Sequence, residues 1–215
     1  MTEAPSDRFR ARLLAAFPPH AADLGWTDAA VRAAAAEAGL SEGEVALALP
    51  NGLIDLMDAF AERADQAMLA GLAKLDLKSM RIRDKVRAAV MLRLEAQVPN
   101  KGAARAMTRA LARPTRAPEA ARLLWRTADR IWRALGDAST DGNFYSKRAI
   151  LMGVLASTYA RWFTDESDDH ADTRAFLDAR IENVMQFEKF KARLKPIGEA
   201  AETAVGLAAR FRYGG

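Results

Sequence analysis

Apolar residues return every three or four positions along most of the chain, and the alternation expected of strands is missing. The pattern predicts a first helix capped by Ser6 or Asp7 and running to about Phe17, where Pro18 and Pro19 stop it. Thr27 caps a second helix, "DAAVRAAAAEAG", which ends at Gly39. Ser41 caps a short third helix, and Glu44, three residues on, completes a capping box. A long fourth helix follows Pro50, Asn51 and Gly52, with Leu53, Met57, Phe60, Ala64 and Ala67 at helical spacing. A fifth covers roughly 79–97, and a short sixth follows Pro99 and Asn100. Pro114 and Pro118 frame a connector to a seventh at about 119–135, closed by Gly136. The eighth opens in "STDGNFYSKRAI", residues 139–150, and reaches about Phe163. Asp168, Asp169 and Asp172 supply the acids favoured where a ninth helix begins. Pro196 precedes a last helix at about 196–211.

The expected fold is therefore all-α, with about ten helices. Three short leading helices over 1–49 suggest a helix-turn-helix type of bundle. A larger helical bundle follows over 50–190, and residues 191–215 carry a terminal amphipathic helix. Half of the 215 residues are hydrophobic, enough for a sizeable core.

Charge is segregated along this frame. Between Thr27 and Glu62 seven acids face one base, Arg32, whereas residues 74–133 hold sixteen bases against five acids. Acids prevail again over 165–188, and bases over 189–212. Such blocks read either as solvated helix faces or as surfaces for different partners. The helix lengths of residues 6–49 match the DNA-binding part of TetR-type repressors. The third helix, "SEGEVALAL", carries two glutamates and no base, which sets it against a phosphate backbone. A retained fold without nucleic-acid binding fits better.

Enzyme chemistry finds little support. There is no cysteine, and His20 and His170 are the two histidines. No glycine-rich phosphate loop, nucleophile elbow or di-iron pattern of glutamate and histidine occurs. The acids around His170 in "DESDDHAD" lack the helical spacing of a metal site. The absence of a leader pattern and of any run near the roughly 18 apolar residues of a spanning helix leads us to expect a soluble, intracellular chain.

The eighth helix carries an unusual load. Phe144, Leu151, Leu155 and Trp162 fall in one sector, flanked by Tyr145, Met152, Tyr159 and Phe163. With Met91, Leu94, Leu124 and Trp125 nearby, the pattern allows an ordinary packed core or a bundle around an apolar cavity. In the last helix Ile197, Ala201, Ala204 and Phe211 share a face with Leu207 at its edge. That face suits a membrane surface or docking onto the same protein or a dimer mate.

The segments "GDASTDGNFYSKRAILMGVLASTYARWFTDES" and "DTRAFLDARIENVM", with "GWT" at 25–27 and "GLS" at 39–41, resemble the Coq-nine family. These are lipid-binding accessory proteins of ubiquinone (coenzyme Q) biosynthesis. The resemblance implies a TetR-like fold that has lost DNA binding, a homodimer, and a cavity for an isoprenoid lipid or phospholipid with no other cofactor. It implies a membrane-engaging terminal helix (Ile197, Ala201, Ala204, Leu207, Phe211) and a patch that docks the demethoxyubiquinone hydroxylase (Asp141, Asn143, Phe144, Tyr145). The cavity is expected to draw on Met91, Leu94, Leu124, Trp125, Leu151, Met152, Leu155, Tyr159 and Trp162. Catalytic residues and metal are expected to be absent, and the protein to sit on the cytoplasmic face of a bacterial membrane. Phe144 stands where the family often has tryptophan, and Gly142 where it often has a bulky residue.

Overall fold

The computed structural model describes residues 4–140 and 142–186. Over these residues the protein is all-α. The helices are α1 Pro5–Leu24, α2 Asp28–Glu37, α3 Glu42–Ala48, α4 Leu53–Leu72, α5 Ile82–Glu95, α6 Lys101–Leu111, α7 Ala117–Ala134 and α8 Gly142–Phe163. A ninth, α9, spans 171–186, the last described residue. Expected positions 197–211 lie outside the described residues, as does Asp141.

Local chemistry sets most of the ends. The Thr27 hydroxyl accepts the Ala30 N–H at 3.3 Å, and Ser41 and Glu44 form the expected reciprocal capping box. At the end of α2, the Leu40 N–H reaches the Ala35 carbonyl and the Gly39 N–H the Ala36 carbonyl. That double closure needs the left-handed conformation of Gly39, φ 60°, which a side chain would strain.

One boundary differs from the sequence reading. Pro18 and Pro19 do not stop α1, which is 20 residues long and continues to Leu24. Each proline removes a backbone hydrogen bond, at a cost on the order of 3 kcal/mol in an isolated helix. Tertiary packing offsets it here. Pro18 and Ala21 are buried, α1 lies along α2, α3 and α6, and Gly102 of α6 sits so close to Ala22 that a Cβ would come within 2.8 Å of it.

The leading helices are tied to the rest through Trp26. Its indole stacks edge-on with Phe17 at 4.8 Å and Phe60 at 5.5 Å, and its Nε1–H donates to the Ala103 carbonyl at 2.9 Å. Trp26 thereby links the α1–α2 turn to α4 and α6.

The centre of the larger bundle is polar. Asp65 of α4 is fully buried. Its carboxylate accepts from Arg93 Nε of α5 at 2.7 Å, from the Thr127 hydroxyl at 3.0 Å and from Arg130 of α7 at 3.1 Å. Arg93 also donates to the Tyr159 hydroxyl of α8, which donates to Gln97 Oε1 at 2.8 Å. Burial opposes the charge on Arg93, but the Tyr159 oxygen and the Asp65 carboxylate outweigh it and raise its pKa. Four helices are thus pinned to one carboxylate.

Removing that carboxylate leaves two guanidinium groups short of their counter-charge. We expect Asp65→Ala to destabilise the protein by about 3–5 kcal/mol in urea denaturation. A loss under about 1 kcal/mol would mean that the helices do not depend on this network.

Candidate functional site: a walled cavity and an aromatic patch

Helices α4 to α8 wall a half-open cavity of about 220 Å³. Its apolar wall includes Ala61 of α4, Met107 and Leu111 of α6, Leu123 and Leu124 of α7, and Leu155 of α8. Its polar wall is the outer side of the Asp65 network: Arg93, Gln97, Thr127 and Tyr159. Those four are buried, whereas Thr108, Ala112 and Ala156 on the opposite rim are exposed, so the polar groups lie at the inner end. A second concavity of about 430 Å³ lies between α5, the end of α7, α8 and α9, and includes Trp132, Leu151 and Met185. A shallower groove of about 390 Å³ follows the α8–α9 seam at Gly153 and Ser157.

The expected lipid-contacting residues divide among these places. Leu124, Leu155 and Tyr159 line the first cavity, and Leu151 lines the second concavity. Met91 and Leu94 are buried in the core. Trp162 is fully buried, with Tyr159 5.8 Å and Phe163 5.3 Å from its ring. Met152 is half-buried against the core, and Trp125 belongs to the surface patch. The α6 lining and the polar wall were missed in the sequence. Asp65 offered a signal, because it falls on the apolar stripe of α4 between Ala61 and Met68.

The opening of α8 forms an aromatic cluster. Phe144 and Tyr145 have ring centroids 5.1 Å apart, and Trp125 of α7 lies 6.2 and 6.1 Å from them. Tyr145 is 64% exposed, and Asn143 is exposed beside it. Phe144 is half-buried because the guanidinium of Arg148 lies 3.5 Å over its ring. Arg148 is itself buried, between Asp129 at 2.8 Å and Asp137 at 3.2 Å. Gly136, φ 82°, turns the chain after α7 so that Asp137 also receives Lys147 at 2.7 Å. The hydrogen bond from Lys147 is the main reason that the Asp137 pKa falls to about 2, with Ser139 and Arg148 adding to it against the burial cost. The patch therefore stands on a charged frame rather than on a greasy one.

Two further sequence features acquire roles. Asp165, from the acidic run, accepts the Thr173 backbone N–H at 2.7 Å and the Ser167 N–H at 2.9 Å, fixing the turn into α9. Burial opposes its charge, yet these bonds and those of the two hydroxyls outweigh it and hold its pKa far below the usual carboxylate range. In the basic region the arginines separate into two groups. Arg122, Arg126, Arg130 and Arg133 are paired with Asp58, Glu62, Asp65 or Asp129. Arg105, Arg109 and Arg113 are exposed and have no ion-pair partner among the described residues. They flank the cavity rim, since Thr108 and Ala112 belong to the same stretch. Helix α6 ends at Leu111, so Arg113 lies just beyond it. Among the described residues, no helix is long and apolar enough to cross a membrane.

Residues 117–188 match the model of the COQ9 family. The chain is 32% identical over 139 residues to the "probable ubiquinone biosynthesis protein coq9, mitochondrial" of Dictyostelium discoideum, covering 65% of this chain and 42% of that one. It is 30% identical over 201 residues to the "ubiquinone biosynthesis protein COQ9, mitochondrial" of Rattus norvegicus, covering 90% of this chain and 64% of that one. The chain thus spans less than two thirds of either relative. A TetR transcriptional regulator from Nitrosomonas europaea shares the fold, with a TM-score of 0.65 at 21% identity over 82% of this chain and 97% of that one. The all-α, TetR-like expectation holds.

The two patch aromatics should separate in a stability measurement. Tyr145→Ala is expected to shift the unfolding free energy by no more than about 0.5 kcal/mol. Phe144→Ala strips the cover from Arg148 and should cost about 1–2 kcal/mol. Equal losses in urea titrations would contradict the burial difference.

Proposed function

The chain belongs to the COQ9 family, and from that premise we propose that it serves ubiquinone biosynthesis as a non-catalytic lipid-binding protein. It engages isoprenoid quinone intermediates and brings them, at the membrane surface, to the hydroxylase acting on demethoxyubiquinone. The observation that carries the reading is the half-open, largely apolar cavity of about 220 Å³ between α4 and α8. Exposing a polyprenyl lipid to water costs roughly 25 cal/mol per Å² of apolar area. A protein that offers apolar walls close to the bilayer lowers that cost at the moment of transfer. No bond chemistry is asked of the cavity's side chains: Arg93 and Tyr159 are engaged with each other and, through Arg93, with the buried Asp65.

In this account the hydroxylase docks on Trp125, Phe144 and Tyr145 with Asp141 and Asn143, where an exposed aromatic anchor sits beside polar groups. The protein works as a homodimer, peripheral on the inner face of the membrane. Residues 197–211 supply the apolar contact through Ile197, Ala201, Ala204, Leu207 and Phe211. Arg105, Arg109 and Arg113 supply attraction to anionic lipid beside the cavity rim.

Flotation with vesicles rich in anionic phospholipid tests the reading. Truncation after Lys195 should reduce the bound fraction. Replacing the three arginines by serine should lower partitioning roughly a hundredfold and flatten its salt dependence. Unchanged flotation in both variants would defeat the membrane reading. The rival, a TetR-type regulator with an apolar ligand, draws support from the shared fold but faces the acidic α3, with Glu42 and Glu44 in its first turn. Tight, sequence-selective retention of upstream DNA in a low-salt gel shift would favour that rival.

A further inference from the structure

We propose that the inner end of the half-open cavity is a recognition pole for a neutral oxygen acceptor, such as a quinone or ketone carbonyl, built from Gln97 and Arg93 and held by Tyr159. The inference rests on the reading that the cavity takes an apolar ligand, and it assigns which end of that ligand goes in first.

The hydrogen-bond accounting identifies the free donors. The Tyr159 oxygen accepts from Arg93, so its hydroxyl proton is the one donated, and Gln97 must receive it through Oε1. That fixes the amide orientation and leaves Gln97 Nε2 with its two protons. Nε2 donates to none of the described residues, and neither does Nη2 of Arg93. Both side chains are more than nine-tenths buried, and both line the cavity. The other polar groups on the wall have spent their protons: the Thr127 hydroxyl on Asp65, and the Thr108 hydroxyl on the Ala104 carbonyl. Both nitrogens keep some accessible surface, unlike the fully buried Trp162 Nε1, and so offer their protons to a space able to hold an acceptor.

Charge decides the class of acceptor. Arg93 and Arg130 are balanced by Asp65 and Glu62, so the pole presents directed donors and no surplus positive charge. A phosphate would have to be desolvated with nothing to neutralise it, whereas a carbonyl would gain hydrogen bonds at little cost. Size decides the orientation. About 220 Å³ falls below the roughly 300–1,000 Å³ of an ordinary small-molecule pocket, too little for a long isoprenoid chain. The cavity accepts a head and the first carbons of a tail. The remainder passes the rim at Ala112 and Ala156, beside the unpaired arginines, and stays in the bilayer. The head is lifted out of the membrane while the tail remains there.

Calorimetric titration with three probes tests this: a benzoquinone bearing a decyl tail, decylbenzene, and decyl phosphate. The wild-type chain should bind the quinone roughly tenfold more tightly than decylbenzene and show no preference for the phosphate. Gln97→Leu removes one of the two donors and should cut the quinone preference at least roughly threefold while leaving decylbenzene affinity within about twofold. Gln97→Glu keeps an acceptor for Tyr159 but removes the amide donor, and should cut the preference as well, which covers the case of a poorly folded leucine variant. Decylbenzene binding without quinone preference in the wild-type chain, or a preference undiminished in either folded variant, overturns the pole and leaves the lipid-binding reading intact. Failure of every probe to bind the wild-type chain overturns both.

Discussion

A carboxylate in the middle of a helical bundle must be neutralised, and Asp65 forces four helices to cooperate in doing so. Arg93 comes from α5, Thr127 and Arg130 from α7, and Tyr159 from α8 through Arg93. A wholly apolar core of the same volume would often be as stable or more so. What the network adds is placement: groups that must meet one carboxylate leave their helices little freedom to rotate or slide. Those helices, with α6, wall the half-open cavity, so one interaction fixes much of the shape of the space and the chemistry of its inner end.

The same device recurs at the surface. Arg148 is buried between Asp129 and Asp137, and its guanidinium supports the ring of Phe144. Gly136 turns Asp137 into position, and Trp132 adds a bond from Nε1 to the Lys147 carbonyl at 3.1 Å. The opening of α8 is thereby rigid enough to present Tyr145 to solvent at little conformational cost, as a docking patch requires. A single helix carries the patch at its start and a wall of the cavity near its end, so in the proposed account partner docking and ligand position share one structural element.

Much of the architecture was legible in the sequence because it is written locally. Thr27, Ser41 with Glu44, Gly39 and Gly136 mark helix ends by their own chemistry, and apolar spacing marks the faces. The long α1 was not legible, because tertiary packing offsets the loss at Pro18 and Pro19 and nothing nearby in the chain announces it. The site was only partly legible. Leu124, Leu155 and Tyr159 were picked out as apolar or aromatic positions, and they line the cavity. Met91, Leu94 and Trp162 look the same in sequence but pack into the core, since a few tens of degrees of helix rotation separate lining from filling. Arg93, Arg148 and Asp65 escaped because charged residues are ordinarily solvated, and their burial depends on partners 11 to 66 positions away.

The central claim is that the space between α4 and α8 takes a lipid. Native mass spectrometry of the full chain, released gently from the membrane fraction, tests it most directly when compared with Met107→Trp, which fills the cavity from α6. The account predicts a wild-type protein that retains a neutral, oxygen-bearing isoprenoid lipid and a folded variant that has lost it. Lipid-free wild-type protein across repeated gentle preparations, or equal retention by the filled variant, would contradict it.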